Sequence, residues 1–261
     1  MPVPGLATQV GPLAQRSVMR TLRTPPLVAP GIIFPLIIFA FLAGGLGKTA
    51  TKIPGFPTTS YTTFVLGLTF AYSGIYAVMV AGTQLGEDVQ SGFLRRIALT
   101  RTSALTITLG ELMGVIALAV VQAILFLVIG VALGAHIKAG PGGALVIIAL
   151  TVLNAVAMGS LGMFFAIRTG SSLAVQGLFP VLMAVMFLSS MNLPRNLLPA
   201  TWFRTVATYN PISYLIEAPR SLLVLGWNVQ ALVLGVLVAG SILLGSVLAT
   251  VTSLRALSVR R

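Results

Sequence analysis

The residues equipped for chemistry are few, and they gather in two places. Of the four acidic residues in the chain, Glu87 and Asp88 stand side by side. Gly92, Phe93, Arg95, Arg96 and Arg101 follow within a few helical turns. Val89, Phe93 and Ile97 recur every four residues, which predicts one apolar stripe on a short, otherwise charged helix over 84–101. Such a helix cannot stay in hydrocarbon; it sits in water and faces something. A solvated loop is the plain alternative, but the ordered acid, glycine, apolar, basic layout speaks for a docking element. The second place is Asn210-Pro211 followed by Glu217 and Arg220. Asn210 as N-cap with Pro211 at the first helical position is a helix start. Glu217 and Arg220, three apart, are expected to pair on one face.

What is missing excludes whole classes of function. Without cysteine there are no disulfides, thiolate metal sites or cysteine nucleophiles. The single histidine, His136, excludes imidazole clusters and a serine–histidine hydrolase. Gly44-Gly45-Leu46-Gly47-Lys48-Thr49 resembles a phosphate loop, but the position that requires the first glycine holds Leu42. No nucleotide or other cofactor is therefore expected on this chain. A proton- or sodium-coupled carrier needs ionisable groups deep in the membrane. Only Glu111 comes near, at a membrane edge.

The elements that must position these groups are membrane helices. The chain is 57% hydrophobic and 8% charged, the balance of an integral membrane protein. Its net charge of +12 would point to nucleic acid in a soluble protein, but the arginines fall at the ends of apolar runs, so no nucleic-acid partner is expected. Spans are predicted near 27–47, 61–83, 104–134, 144–167, 172–191 and 230–254, each long enough for about 30 Å of hydrocarbon. The fold class is thus all-α, with one transmembrane domain over 1–261 and both termini on one side. Ten of the sixteen basic residues then share that side, which marks it as cytoplasmic together with 84–101. Pro35 and Pro180 are expected to kink spans one and five. Gln122, Asn154 and Gln176 are expected to bond between helices.

Before the first span, residues 1–26 read as a loose tail and an interfacial helix. Arg16, Arg20 and Arg23 share one face opposite Ala14, Val18 and Leu22, which places the basic groups toward lipid phosphates. A positive flank of the first span is an equal reading. After the fifth span, the stretch holding Asn210, Pro211, Glu217 and Arg220 is too polar to span and too apolar for an open loop. It reads as two short helices that dip back into the outer leaflet and form an external gate. A surface cap is the alternative.

Taken together, these stretches resemble the membrane subunits of ABC-2-type exporters, especially the daunorubicin-resistance kind. Gly86-Glu87-Asp88, Gly92 and Leu94-Arg95-Arg96 match the family's acid-rich turn, glycine and short basic helix after span two. Asn210-Pro211, Glu217 and Arg220 match its Asn-Pro pair, acid and arginine before span six. The family's proline after the short helix is replaced here by Leu99-Thr100-Arg101-Thr102. The resemblance implies a permease half-transporter in a bacterial plasma membrane, paired with a second permease of the same or a homologous chain. It implies a separate cytoplasmic ATPase that carries ATP and magnesium and grips a coupling helix made of Glu87, Asp88, Val89, Gly92, Phe93, Arg95, Arg96 and Ile97. It also implies export of a drug-like compound, with a lipid or glycolipid, or a non-transporting anchor for the ATPase, as alternatives. Phe34, Phe39, Phe70, Tyr72, Tyr76, Phe179, Met183, Met186 and Phe187 offer aromatic and methionine surface for hydrophobic cargo, although packing accounts for most of them singly.

The chain has no cysteine of its own, so the topology has a clean test. Ser91→Cys should stay unlabelled by a membrane-impermeant thiol reagent in intact cells and react once the membrane is opened; labelling in intact cells contradicts the orientation.

Overall fold

The structure is a computed structural model and describes residues 6–98 and 103–259. Every regular element among them is helical: α1 (Leu6–Leu22), α2 (Pro25–Ala50), α3 (Tyr61–Gln90), α4 (Phe93–Ala98), α5 (Ala104–Ala132), α6 (Gly140–Thr169), α7 (Ser172–Gln176), α8 (Leu178–Phe187), α9 (Thr201–Tyr209), α10 (Pro211–Val224) and α11 (Val229–Val259). Among the described residues, five helices are long and apolar enough to cross a membrane: α2, α3, α5, α6 and α11. Their lengths follow from uninterrupted apolar sequence and side-chain caps. Ser60 Oγ accepts from the Thr63 N–H at 3.3 Å to start α3, and Ser103 Oγ accepts from Thr106 N–H at 3.1 Å to start α5.

The expected fifth span takes a different form. Residues 172–187 fold as two short helices, α7 and α8, rather than one long one. Gly177 lies at the junction, and Pro180, the third residue of α8, has no N–H to give to the Gln176 carbonyl four residues back. Gln176 itself is exposed there rather than bonded into the bundle.

Helix α3 is the axis, buried along nearly its whole length, whereas α2 and α11 lie at the periphery. Close approach to α3 is made possible by missing side chains. A Cβ on Gly162 of α6 would strike the Val78 carbonyl, and one on Gly74 would strike the Asn154 amide. Gly82 and Gly86 receive Val175 and Ser172 of α7 in the same way. The wide spacing of small residues thus converts into helix contact, as dispersion-driven packing in lipid requires. On the other flank, α1 lies along the first turns of α5, with Leu13 over Gly110 and Ser17 and Thr21 over Gly114.

Amides close the remaining gaps. Pro35 cannot donate to the Gly31 carbonyl, and Gln122 Nε2 fills that place from α5 at 2.8 Å. Asn154 Nδ2 reaches the Phe70 and Ala71 carbonyls at 3.3 and 3.2 Å. Most of the aromatic and methionine surface proves to be core: Phe39, Phe70, Tyr72 and Met186 are fully buried, while Phe34 and Phe187 remain exposed.

The segment after α6 is anchored at two levels along α3. Ser172 rests on Gly86 near one end, and the Ser190–Met191 turn meets Phe64 near the other, through Arg220. The segment 172–191 therefore runs the length of α3 between those levels, a rise of about 33 Å.

Candidate functional site

The acidic pair sits where helix electrostatics disfavour it. Glu87 and Asp88 occupy the last turn of α3, at the negative end of its dipole, so each needs a cation close by. Helix α1 supplies both. Arg16 grips Asp88 with two nearly parallel bonds, Nη1 to Oδ2 at 2.9 Å and Nη2 to Oδ1 at 2.8 Å. The same guanidinium reaches Glu111 Oε1 of α5 at 3.3 Å. Arg20 bonds Asp88 Oδ1 at 3.1 Å and pairs with Glu87. Asp88 and Glu111 are buried, Arg16 is about a third exposed, and the Asp88 bonds raise the Arg16 pKa above its ordinary value. Ser17 and Thr21 complete the seam: Ser17 Oγ donates to the Glu111 carbonyl at 2.9 Å, and Thr21 Oγ1 accepts from Gln84 Nε2 at 3.1 Å.

This geometry corrects two sequence expectations. Arg16 and Arg20 do not turn to lipid phosphates, because three carboxylates of a charge-poor chain lie within reach and a bidentate carboxylate is the stronger partner. Arg23 is exposed. Nor is 84–101 one helix. Gly92 adopts φ +72°, a left-handed C-terminal turn that ends α3 and starts α4 in a new direction. Val89 consequently belongs to α3, beside Gly170, and is not on a stripe with Phe93.

Phe93 opens α4 and lies under Arg16, with the guanidinium carbon 4.0 Å from the ring centre. One arginine thus touches the end of α3, the start of α4 and the first turns of α5. Arg96 is exposed on α4. Arg95 and Ile97 lie in the same helix, with side chains outside the described residues, as is Arg101.

The opposite end is built around Arg220. Its Nε donates to the Phe64 carbonyl at 3.0 Å, Nη1 to Ser190 O and Nη2 to Met191 O, both at 2.7 Å. The guanidinium lies 3.8 Å from the Phe64 ring centre, and Gly67 leaves room for its stem. Asn210 caps α10 by accepting from Ile212 N–H at 2.9 Å and reaches back to the Val185 and Leu188 carbonyls at 2.7 and 3.1 Å. Pro211 takes the first helical position, exposed.

The expected Glu217–Arg220 pair does not form. Glu217 pairs with Arg195, whose guanidinium also lies 4.5 Å from the Tyr214 ring centre. Arg220 is turned inward, and three carbonyls absorb its donors. Sequence reasoning misses Arg195 because it sits alone between prolines, although a lone arginine near a lone glutamate in an acid-poor chain is a usable signal.

A family model described as ABC-2 type transporter matches residues 8–224, which include both clusters. A protein of Porphyra purpurea named transport permease ycf38 is 26% identical over 217 residues, covering 81% of this chain and 72% of that one.

If Glu217 braces the loop through Arg195, Glu217→Gln should lower the thermal unfolding temperature of the purified protein, and Glu217→Arg combined with Arg195→Glu should restore part of it. Exchange with Arg220 should restore nothing. Recovery by the Arg220 exchange and not by Arg195 contradicts the pairing.

Proposed function

The chain belongs to the ABC-2 type transporter family and is a multi-pass membrane permease, a transport subunit that is not itself catalytic; from that premise we propose that it forms the membrane half of an ATP-driven exporter in a bacterial plasma membrane. ATP and magnesium act on a separate cytoplasmic ATPase, and a second permease, the same chain or a homologue, completes the pathway. Both termini face the cytoplasm. The run of 172–191 along the whole of α3 supports six crossings, with the broken α7–α8 segment as the fifth. The fold of α9 and α10 back onto that segment supports an external gate of Asn210, Pro211, Glu217 and Arg220.

One observation carries the coupling mechanism: Arg16 holds Asp88, Glu111 and Phe93 at once. When ATP closes the partner ATPase, the docked α4 moves as a body. Arg16 passes that displacement to α1, α3 and α5 together, because a packed, ion-paired cluster shifts between discrete arrangements rather than bending. Since α1 already neutralises Glu87 and Asp88, the surface that α4 offers the ATPase is basic, led by Arg96. Phe93 acts partly through Arg16 rather than as a free anchor.

The cargo is hydrophobic or amphipathic and drug-like. Support comes from the aromatic group at α2, α3 and α8, where Phe34 lies 5.5 Å from Tyr72 and 6.4 Å from Phe179 with Phe34 exposed.

The test is co-purification of the ATPase with wild-type and altered permease, read beside export rate. Phe93→Ala combined with Arg95→Glu and Arg96→Glu should reduce recovery of the ATPase and abolish export, while membrane insertion and thermal stability persist. Anchor losses of this kind cost on the order of 2 kcal/mol, roughly a thirtyfold fall in affinity. Wild-type recovery and export would remove α4 as the coupling element.

A further inference from the structure

The broken segment α7–α8 presents polar groups that the chain itself leaves unanswered. Elsewhere in the long helices, amides at depth are buried and bonded. Gln84 bonds Thr21 at 3.1 Å, Gln122 the Gly31 carbonyl at 2.8 Å, and Asn154 the Phe70 carbonyl at 3.3 Å. Gln176 is exposed instead, with no hydrogen-bond partner among the described residues. Its own carbonyl is open as well, because Pro180 has no N–H to give it, and Gly177 at the break has no side chain to cover it. The neighbouring Val175 packs on Gly82 of α3. Gly82 precedes Asp88 by six residues, so the break lies about 9 Å along α3 from the charged seam, toward the membrane interior.

We infer that this face of α7–α8 lines a water-filled transport path, in which Gln176 and its freed carbonyl meet the polar end of an amphipathic cargo. The inference rests on the proposed exporter and adds where its path runs. Lipid tails offer no donor to an open carbonyl and no partner to an amide, so a broken backbone at this depth faces protein or water. Interrupted apolar segments mark binding sites in transporters for that reason. From the break, Val181, Ala184 and Phe187 continue one exposed face at helical spacing, while Met183 and Met186 turn inward and are buried. The apolar side of the cargo has its own wall nearby: Phe179 lies 6.4 Å from the exposed Phe34, which lies 5.5 Å from Tyr72. Polar and aromatic surfaces thus meet on one segment, the pairing that an amphipathic molecule requires. By contrast, the exposed faces of α2 and α11 around Ile37 and Leu237 belong to long apolar helices and suit lipid.

The test uses single cysteines in the full chain, which has none of its own, and a sulfonated thiosulfonate reagent that dissolves in water but not in lipid. Cells that also make the ATPase are opened so that both membrane faces meet the reagent. Ala184→Cys, eight residues beyond Gln176, should react, whereas Ile37→Cys on α2 and Leu237→Cys on α11 should not. An unreactive Ala184→Cys overturns the inference, because the face then meets lipid or a dry seam with the second permease. Equal reaction at all three positions overturns it too, since the face is then no wetter than the outer helices. Gln176→Leu supplies a second reading in protein reconstituted into a bilayer. Loss of a hydrated amide should leave the thermal unfolding temperature unchanged or lower, and a clear rise would show that the amide had faced lipid. If Ala184→Cys stays unreactive while the ATPase still co-purifies and export persists, this inference falls and the exporter reading stands.

Discussion

A buried carboxylate at the C-terminal end of the most buried helix governs this end of the molecule. Asp88 is disfavoured there twice, by the α3 dipole and by burial, and a lone charge so placed is costly. The bidentate grip of Arg16, with Arg20 beside it, offsets both terms. Because the arginines come from α1, that helix is held along α5, where Gly110 and Gly114 make room for it. The gain is not chiefly in stability. Desolvation of two ions consumes most of the attraction, but losing one partner leaves the other stranded at a cost of about 3–5 kcal/mol, toward the low end here because Arg16 is partly exposed. The pair therefore enforces one arrangement of α1, α3 and α5 rather than adding much to the total.

The far end obeys the same logic with a different counterion. Arg220 is buried without a carboxylate on its donors, and carbonyls of Phe64, Ser190 and Met191 serve instead. Those carbonyls belong to a helix and to a non-helical turn, so the guanidinium joins two elements that share no sequence proximity. Asn210 does likewise for the end of α8. Each end of α3 is thus tied to its neighbours by arginine, Arg16 and Arg20 at one end and Arg220 at the other, and a shift of one neighbour at either end is felt by the helix.

How legible each feature is in the sequence depends on the range of the interaction behind it. Apolar runs are local, so the long helices are legible, and so is the cap at Asn210, which acts within two residues. The charged stretch after α3 is legible as a feature but not as a shape, because Gly92 turns the chain where periodicity alone would continue a helix. The segment 172–187 reads as one run of apolar residues, while its break at Gly177 and Pro180 depends on one missing donor. Partners of charges are the least legible. Arg16 with Asp88 is separated by 72 residues and Arg195 with Glu217 by 22, and helical spacing favours the nearer wrong partner, Arg220.

The claim that Arg16 and Asp88 hold the charged end as one unit is most directly tested by a double-mutant cycle on thermal unfolding of the purified protein, using Arg16→Gln, Asp88→Asn and the two together. The account predicts that the double variant loses less than the sum of the singles, by at least about 1 kcal/mol. Additivity within about 0.3–0.5 kcal/mol would show two independent side chains and contradict it.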